Sequence, residues 1–421
     1  MDSLLLPVGL LLLAVALLQV RIVGHVAYPP SLLCAVWGAE ILWLYSAGNR
    51  YSPVSSATLL IYLGGTAAFC LGGALGWVSA GWGREGLRGE PVVREWLVPL
   101  LTVLVVVLTP VYVAKVIAVV GSVPRAEFLY TLRVRTLDTT LEDGIGVAGN
   151  IVGFATMCAL LATAVRAPRP IDRFCRALLI VLALFLAILT GGRNAPLSLI
   201  CGLGAIAAVN ARSLPVRKVV MGLVAAMMVF ALMGVLIKKG NARPDASLME
   251  NAAAMGDGLQ VYSLAGIVGF ERIVDDPASI PSNGGYLRGV QDIANHLGAH
   301  YEVPSQHLQW TSVGDAIDTN VYTMYSAYYP EVGFVGTLCL TLVVGCVSAI
   351  AHRRATSGKL GATLFFGMLA AATLQSSFGE PFYTNANFLG KLGIFVLFVS
   401  LVNRPTLTST GFATTGVRRA Q

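Results

Sequence analysis

The stretch LTGGRNAPLSL, residues 189–199, sets two glycines, an arginine, an asparagine and a proline between two apolar runs. A guanidinium is planar, permanently charged, and carries five donors in a fork that matches phosphate oxygens in pairs. Gly191 and Gly192 can end a preceding helix, Asn194 or Ala195 can cap the next one, and Pro196 suits its first turn. A helix starting there would add its unsatisfied N–H groups and positive dipole end to the same anion site. Arg193 is therefore the leading candidate to hold a phosphate, and an anionic lipid head is the natural ligand. The plain alternative is a solvated or snorkelling turn arginine.

Other residues could join it. Arg243 and Arg288 (in GGYLRGV) are further cations in a long polar stretch, and Arg133 and Arg135 stand in a shorter one. Asp318 and Glu380, with Asp315 and Glu331 nearby, are carboxylates beside the ends of apolar runs, suited to orienting or deprotonating a hydroxyl. Asp318 could equally be a helix N-cap. His296 and His300 stand four apart and could share one face of a helix as a base or a ligand contact. They lack the glutamate of an H-E-x-x-H pair, so no metal or other cofactor is assigned.

The elements that must position these residues are apolar. Of 421 residues, 56% are hydrophobic and 12% charged, with mean hydropathy +0.72, where soluble domains carry roughly 25% charge. The class is all-α polytopic membrane protein. Apolar runs at about 3–20, 31–46, 57–79, 96–120, 145–165, 177–190, 197–209, 219–237, 333–351, 360–374 and 389–402 give about eleven spans in one integral membrane domain, 1–421. The first run lacks a basic leader and reads as a retained span. The seven cysteines avoid the long polar loops, which argues against a disulfide framework.

Charge fixes an orientation. Short loops at 21–30, 80–95, 166–176, 210–218 and 352–359, together with a flexible tail at 403–421, hold more than half of the 29 basic residues and read as cytoplasmic. The N-terminus then lies outside. The loops at 121–144 and 238–332 face outward, and the longer one holds enough aromatic residues to fold, with short helices and a segment such as 259–270 lying in the membrane interface or dipping back into the bilayer. The net charge of +7 belongs to these loops, and no basic soluble face for nucleic acid is readable. Basic clusters on both flanks make 177–209 an outward hairpin. Each arm of ~13–16 residues covers ~20–24 Å, short of a ~30 Å hydrocarbon core, which puts Arg193 near the outer headgroups. Lys115 is read as the only charge clearly inside a span.

The hairpin with its G-G-R turn resembles the arginine hairpin of the bacterial oligosaccharide repeat-unit polymerases, the Wzy-type O-antigen polymerases. A second segment, TNVYTMYSAYYPEVGFVGTLCLTLVVG at 319–345, is similar to that family's run of Asn, aromatic, Thr and an acid before Gly-x-x-Gly, with Glu331, Gly333 and Gly336 in the matching places. The related O-antigen ligases carry His-Asn where Thr319-Asn320 stands here, a departure that favours polymerase over ligase. Arg133 and Gly144 fit an Arg-x10-Gly spacing of some such polymerases, but 45 glycines make that spacing a frequent coincidence. The resemblance covers roughly 185–350.

It implies a GT-C-like glycosyltransferase architecture in the bacterial inner membrane, with an active site on the periplasmic side. It implies transfer, without a metal, of an undecaprenyl-diphosphate-linked glycan chain onto the terminal sugar of another lipid-linked repeat unit. Partners would be that lipid-linked oligosaccharide, membrane lipid and a chain-length-regulating co-polymerase. Arg193, Arg288, Asp318 and Glu380 are then the catalytic candidates. Arg193, Arg243, Arg133, Arg135, Asn320, Tyr322, His296 and His300 are the substrate-binding ones. Tyr322, Tyr325, Tyr328 and Tyr329 could stack on sugar faces, although tyrosine enrichment at a membrane interface explains them almost as well. A ligase-type transferase and a non-enzymatic lipid-linked oligosaccharide flippase stay open as alternatives.

Overall fold

Unbroken apolar runs fold as helices because only an internally hydrogen-bonded backbone tolerates a waterless surrounding. The computed structural model describes residues 4–81, 93–124, 127–137, 145–211, 247–277, 287–302, 310–315 and 317–403, with a few residues between 222 and 234. In chain order these form α1 (Leu5–Val23), α2 (Pro29–Ala47), α3 (Ser56–Ala80), α4 (Leu97–Val120), α5 (Phe128–Leu137), α6 (Gly149–Ala164), α7 (Pro170–Ile188) and α8 (Asn194–Asn210). There follow α9 (Leu248–Asp275), α10 (Arg288–His296), the antiparallel pair β1 (Thr311–Gly314) and β2 (Ile317–Thr319), α11 (Tyr325–Thr356), α12 (Leu360–Leu374) and α13 (Ala386–Val402).

Among the described residues, six helices are long and apolar enough to cross a membrane: α1, α2, α3, α4, α6 with its preceding turn, and α11. The apolar helices α8, α12 and α13 are shorter, at 17, 15 and 17 residues. The expected span at 219–237 and the tail beyond residue 403 lie largely outside the described residues.

Helix packing follows from residue size. Helices α3 and α11 approach until backbones touch: a Cβ on Gly72 would collide with the Leu342 carbonyl, and one on Gly345 with the Phe69 carbonyl. Small residues permit this close contact where no hydrophobic effect drives helices together. One buried cluster joins α1, α2, α3, α9 and α11 around Trp37, Tyr62, Phe69, Phe270 and Tyr325. A second joins α4, α6, α7 and α13. Helices α8 and α12 contribute to both, through Ala205 and Phe366 on one side and Leu199 and Leu364 on the other, and form the seam.

The connections sort to two ends. At one end Arg50 pairs with Asp257 at 3.1 Å, Ser52 N–H donates to the Val313 carbonyl at 2.8 Å, and α5 touches the α7–α8 turn. At the other, His25 Nδ1 lies 3.1 Å from His352 Nε2, Arg169 pairs with Glu95 and Asp172, and Arg94 N–H donates to Asn403. This is the same two-way grouping of loops that the basic residues suggest.

Several local expectations change. The first hairpin arm begins at Pro170, seven residues before 177, where proline takes the first helical position and the Arg169 N–H and guanidinium both donate to the Asp172 carboxylate. The second arm starts at Asn194 with Arg193 as its N-cap residue, displacing Asn194 and Ala195 from that role. The stretch around 259–270 belongs to a long helix. It is the middle of the 28-residue α9, whose Leu264, Ile267, Val268 and Phe270 are buried in the core. Its start is a capping box between Ser247 and Glu250. The β1–β2 hairpin had no counterpart in the sequence reading.

Candidate functional site

The α7–α8 turn is built by Gly191, whose φ of +68° suits glycine. A side chain there would meet the backbone of Arg133 at 3.2 Å, so the absence of one lets α5 lie directly on the turn. Arg133 then donates from Nη1 to the Gly191 carbonyl at 3.4 Å, and Tyr112 donates to the Leu189 carbonyl at 3.3 Å. Arg193 follows immediately. It is 8% exposed, and its guanidinium stands over the Tyr262 ring of α9, 5.4 Å from the centroid.

Arg193 thus stands over Tyr262, while Arg133 bonds the turn two residues before Arg193. Burial pulls the Arg193 pKa below its ordinary value; Tyr262 opposes this and Arg133 adds to it. Burial pushes Tyr262 up, against the pull of Arg193 and Arg133. Concentrated, partly desolvated positive charge at a helix N-terminus is a setting that favours an anion.

Tyr262 also packs on Phe378, ring centres 5.3 Å apart, and so brings the 375–385 loop to the same place. Helix α9 passes this loop so closely that a Cβ on Gly266 would lie 2.9 Å from the Ser377 carbonyl oxygen. Below the loop Ser198 and Gln375 exchange hydrogen bonds of 3.1 and 2.9 Å. Ser377 Oγ donates to Glu40 Oε1 at 2.8 Å. Glu40 is buried within α2, and its Oε2 has no hydrogen-bond partner among the described residues. Lys115 is therefore not the only charge within an apolar run: Glu40 lies in the run 31–46, and Lys391 on α13 bonds Asn150 at 2.8 Å. The signal was present in both cases: an ionisable residue in an apolar run.

Glu380 belongs to the same loop. Its Oε1 accepts from the Tyr328 hydroxyl at 2.6 Å and from Phe382 N–H at 2.9 Å, and its Oε2 accepts from Thr384 N–H at 2.8 Å, with Tyr383 N–H reaching both. Burial raises its pKa, against those donors. The carboxylate is the organiser of the 380–384 turn. Gly289, one residue after Arg288 in α10, lies against the Tyr383 and Thr384 carbonyls, which places half-buried Arg288 beside this turn.

The remaining candidates divide. Arg135 turns away from Arg133 and donates to the Val119 carbonyl at 2.7 Å, capping the end of α4. Asp318 is exposed on β2, directly across from Ser312, and half-buried Asn320 follows the strand. Helix α10 ends at His296, and His300 lies exposed beyond Gly298, whose φ is +99°; the two histidines therefore do not share a helix face. Tyr322, Tyr325 and Tyr328 are not an exposed stacking surface. All three are buried, Tyr325 against Trp37 and Tyr62, because the chain entering α11 runs through the core. The Gly-x-x-Gly motif has a backbone reason: Gly333 breaks α11 with φ 64° and ψ −169°. Arg243 lies outside the described residues.

A second feature stands at the same end. A cavity of about 370 Å³ opens between residues 52–55, the last turns of α9 and β1, and is lined by Ser52, Ser55, Glu271, Arg272, Asp275 and Ser312, among others. Ser55 N–H donates to Glu271 Oε2 at 2.8 Å, which seats this buried carboxylate against the wall.

Comparison with known proteins gives one relative of note. The chain is 26% identical over 117 residues to an O-antigen polymerase of Shigella dysenteriae, a match covering 28% of this chain and 29% of that protein. The matched region thus spans less than a third of either chain. No family model matches, and no solved structure matches.

Proposed function

We propose that this chain is a polysaccharide polymerase: a metal-independent, multi-pass glycosyltransferase with about eleven spans and a GT-C-like arrangement. It would transfer a glycan from an undecaprenyl-diphosphate carrier to the terminal sugar of a second lipid-linked repeat unit. The observation that carries this reading is the pair of guanidiniums at the α7–α8 turn, Arg193 over Tyr262 and Arg133 on the Gly191 carbonyl. The partial likeness to an O-antigen polymerase supports it independently.

In this reaction an acceptor hydroxyl oxygen attacks the anomeric carbon of the donor sugar. The bond from that carbon to the diphosphate oxygen breaks, the lipid diphosphate leaves with the electron pair, and the hydroxyl proton passes to a base. The largest need is stabilisation of charge on the departing diphosphate, and fixed guanidiniums meet it without reorganisation. Arg193 and Arg133 take that role, with Arg288 as the next cation. Asp318, exposed on its strand, is the carboxylate assigned to orient the acceptor hydroxyl. Glu380 acts at one remove, by shaping the loop that packs on Tyr262. The reading places this end of the molecule on the periplasmic side of the inner membrane, with the N-terminus there and the C-terminus in the cytoplasm, and a chain-length-regulating co-polymerase as a partner.

The test is elongation by purified protein in lipid nanodiscs supplied with lipid-linked repeat units. The expected product is a ladder of longer glycans, reduced about a hundredfold or more by Arg193→Ala. A failure to elongate, with the same lipid crossing vesicle membranes, would replace this reading with a flippase. Transfer only to a lipid A-type acceptor would replace it with a ligase.

A further inference from the structure

We infer that the cavity between residues 52–55, the end of α9 and β1 is a glycan subsite that takes an uncharged or amino sugar at the growing or accepting end of the substrate. The inference rests on the glycan-polymerase reading above and names a place for the sugar that the reading leaves unplaced.

At about 370 Å³ the cavity lies within the range of small-molecule sites. Its wall is chemically suited to sugar hydroxyls. Ser52, Ser55 and Ser312 supply hydroxyls that both donate and accept, Glu271 and Asp275 supply paired acceptors, and Arg272 supplies donors. Glu271 is 9% exposed and fixed by the Ser55 backbone N–H, so its carboxylate is preorganised. Two carboxylates against one guanidinium leave the wall net negative. An acidic sugar would meet repulsion there, and a neutral or amino sugar would not.

The frame around the cavity is held from three sides. Arg50 bonds Asp257 at 3.1 Å and Gln260 at 2.5 Å, Ser52 bonds Val313, and Gly314 is packed so tightly on Arg50 that a side chain would not fit. Ser312 on the cavity wall is the cross-strand partner of Asp318. Residues directly opposite in an antiparallel pair present their side chains on one face, about 4.5–5.5 Å apart at Cβ. A sugar seated in the cavity therefore lies beside the carboxylate assigned to the acceptor. The anion site is on the same helix: Tyr262 precedes Glu271 by nine residues, about 13 Å of helix rise. Helix α9 thus carries both a contact of the anion site and a wall of the cavity.

The test uses the full chain in nanodiscs and, as probe, the oligosaccharide released by mild acid from the lipid-linked pool of cells producing this protein. Binding is followed by titration and by saturation-transfer NMR, which reports the sugar residue touching protein. The wild type should bind, with transfer strongest to a neutral or amino sugar. Ser312→Trp, which fills the cavity from an exposed strand position, should weaken binding about tenfold or more, and Asp275→Asn should weaken it by several-fold. Both should leave binding of undecaprenyl diphosphate alone unchanged. No binding by the wild type, unchanged affinity in both variants, or transfer strongest to a uronate overturns the subsite. Wild-type protein that never elongates glycans, yet loses oligosaccharide binding in Ser312→Trp, retains the subsite and sinks the polymerase reading instead.

Discussion

The guanidinium of Arg193 stands over the ring of Tyr262, 5.4 Å from its centroid, and this contact joins the tip of the α7–α8 hairpin to a helix more than fifty residues further along the chain. A cation beside an aromatic ring is attracted by the ring quadrupole, so Tyr262 helps fix where the guanidinium stands. Tyr262 is in this sense a positioning residue. Tyr262→Phe keeps the face and should change elongation little. Tyr262→Ala should cost about 1–2 kcal/mol of transition-state binding, a five- to thirtyfold fall in kcat/KM. Steady-state kinetics of the two variants against Arg193→Ala check this; equal losses for Phe and Ala would show that the hydroxyl matters and not the ring.

Glu380 gives a pH prediction. Its folded pKa is raised by burial above the ordinary 4.5. Its contribution to stability is then full below about 4.5 and is lost as pH rises through the higher folded value. Thermal unfolding in detergent between pH 4 and 8 should show wild type losing stability relative to Glu380→Gln as pH rises. At the acid end Glu380→Gln should be the less stable by about 1–3 kcal/mol, because an amide oxygen replaces two acceptors serving Tyr328 and three backbone N–H groups. A difference between the two that stays constant with pH would refute the assignment.

The two turn glycines should respond differently to alanine. Gly333 has open space around it but sits at φ 64° and ψ −169°, a region essentially reserved for glycine. Gly333→Ala should therefore cost about 1–3 kcal/mol from backbone strain alone, read as a lower Tm with elongation intact at low temperature. Gly191→Ala adds a contact with the Arg133 backbone to a left-handed φ, so it should lower activity beyond its effect on Tm by separating Arg133 from Arg193. Parallel losses of activity and stability in both variants would contradict this.

How legible these features were depended on the range of the interaction that makes them. Arg193 stood out because a charge and two glycines interrupt an apolar run, and the residues on either side of the turn are enough to place it. Local caps were equally readable in principle: Ser247-Leu-Met-Glu250 is a capping box in plain sequence, and it starts the longest helix of the polar region. Partners distant in sequence were not readable. Nothing near residue 262 says that its ring meets Arg193, and nothing near residue 271 says that its carboxylate takes the N–H of Ser55, 216 positions earlier. The tyrosines at 322–329 misled for the same reason. A run of aromatics beside a span has one composition whether it faces sugar, lipid or core, and only packing against Trp37 and Tyr62 decides among these.

The backbone contact between α3 and α11 bears on how the molecule moves. Carbonyls of Phe69, Leu342 and Cys346 sit in notches left by Gly345, Gly72 and Gly76, alternately on the two helices. A notch filled by a rigid peptide group resists sliding along the axis as a key resists a sideways pull, because every step of travel must first lift the carbonyl clear. These two helices therefore move as one strut. A cycle of rocking halves would have to hinge elsewhere, at the α8–α12 seam. A machine that works at one end only needs no such hinge.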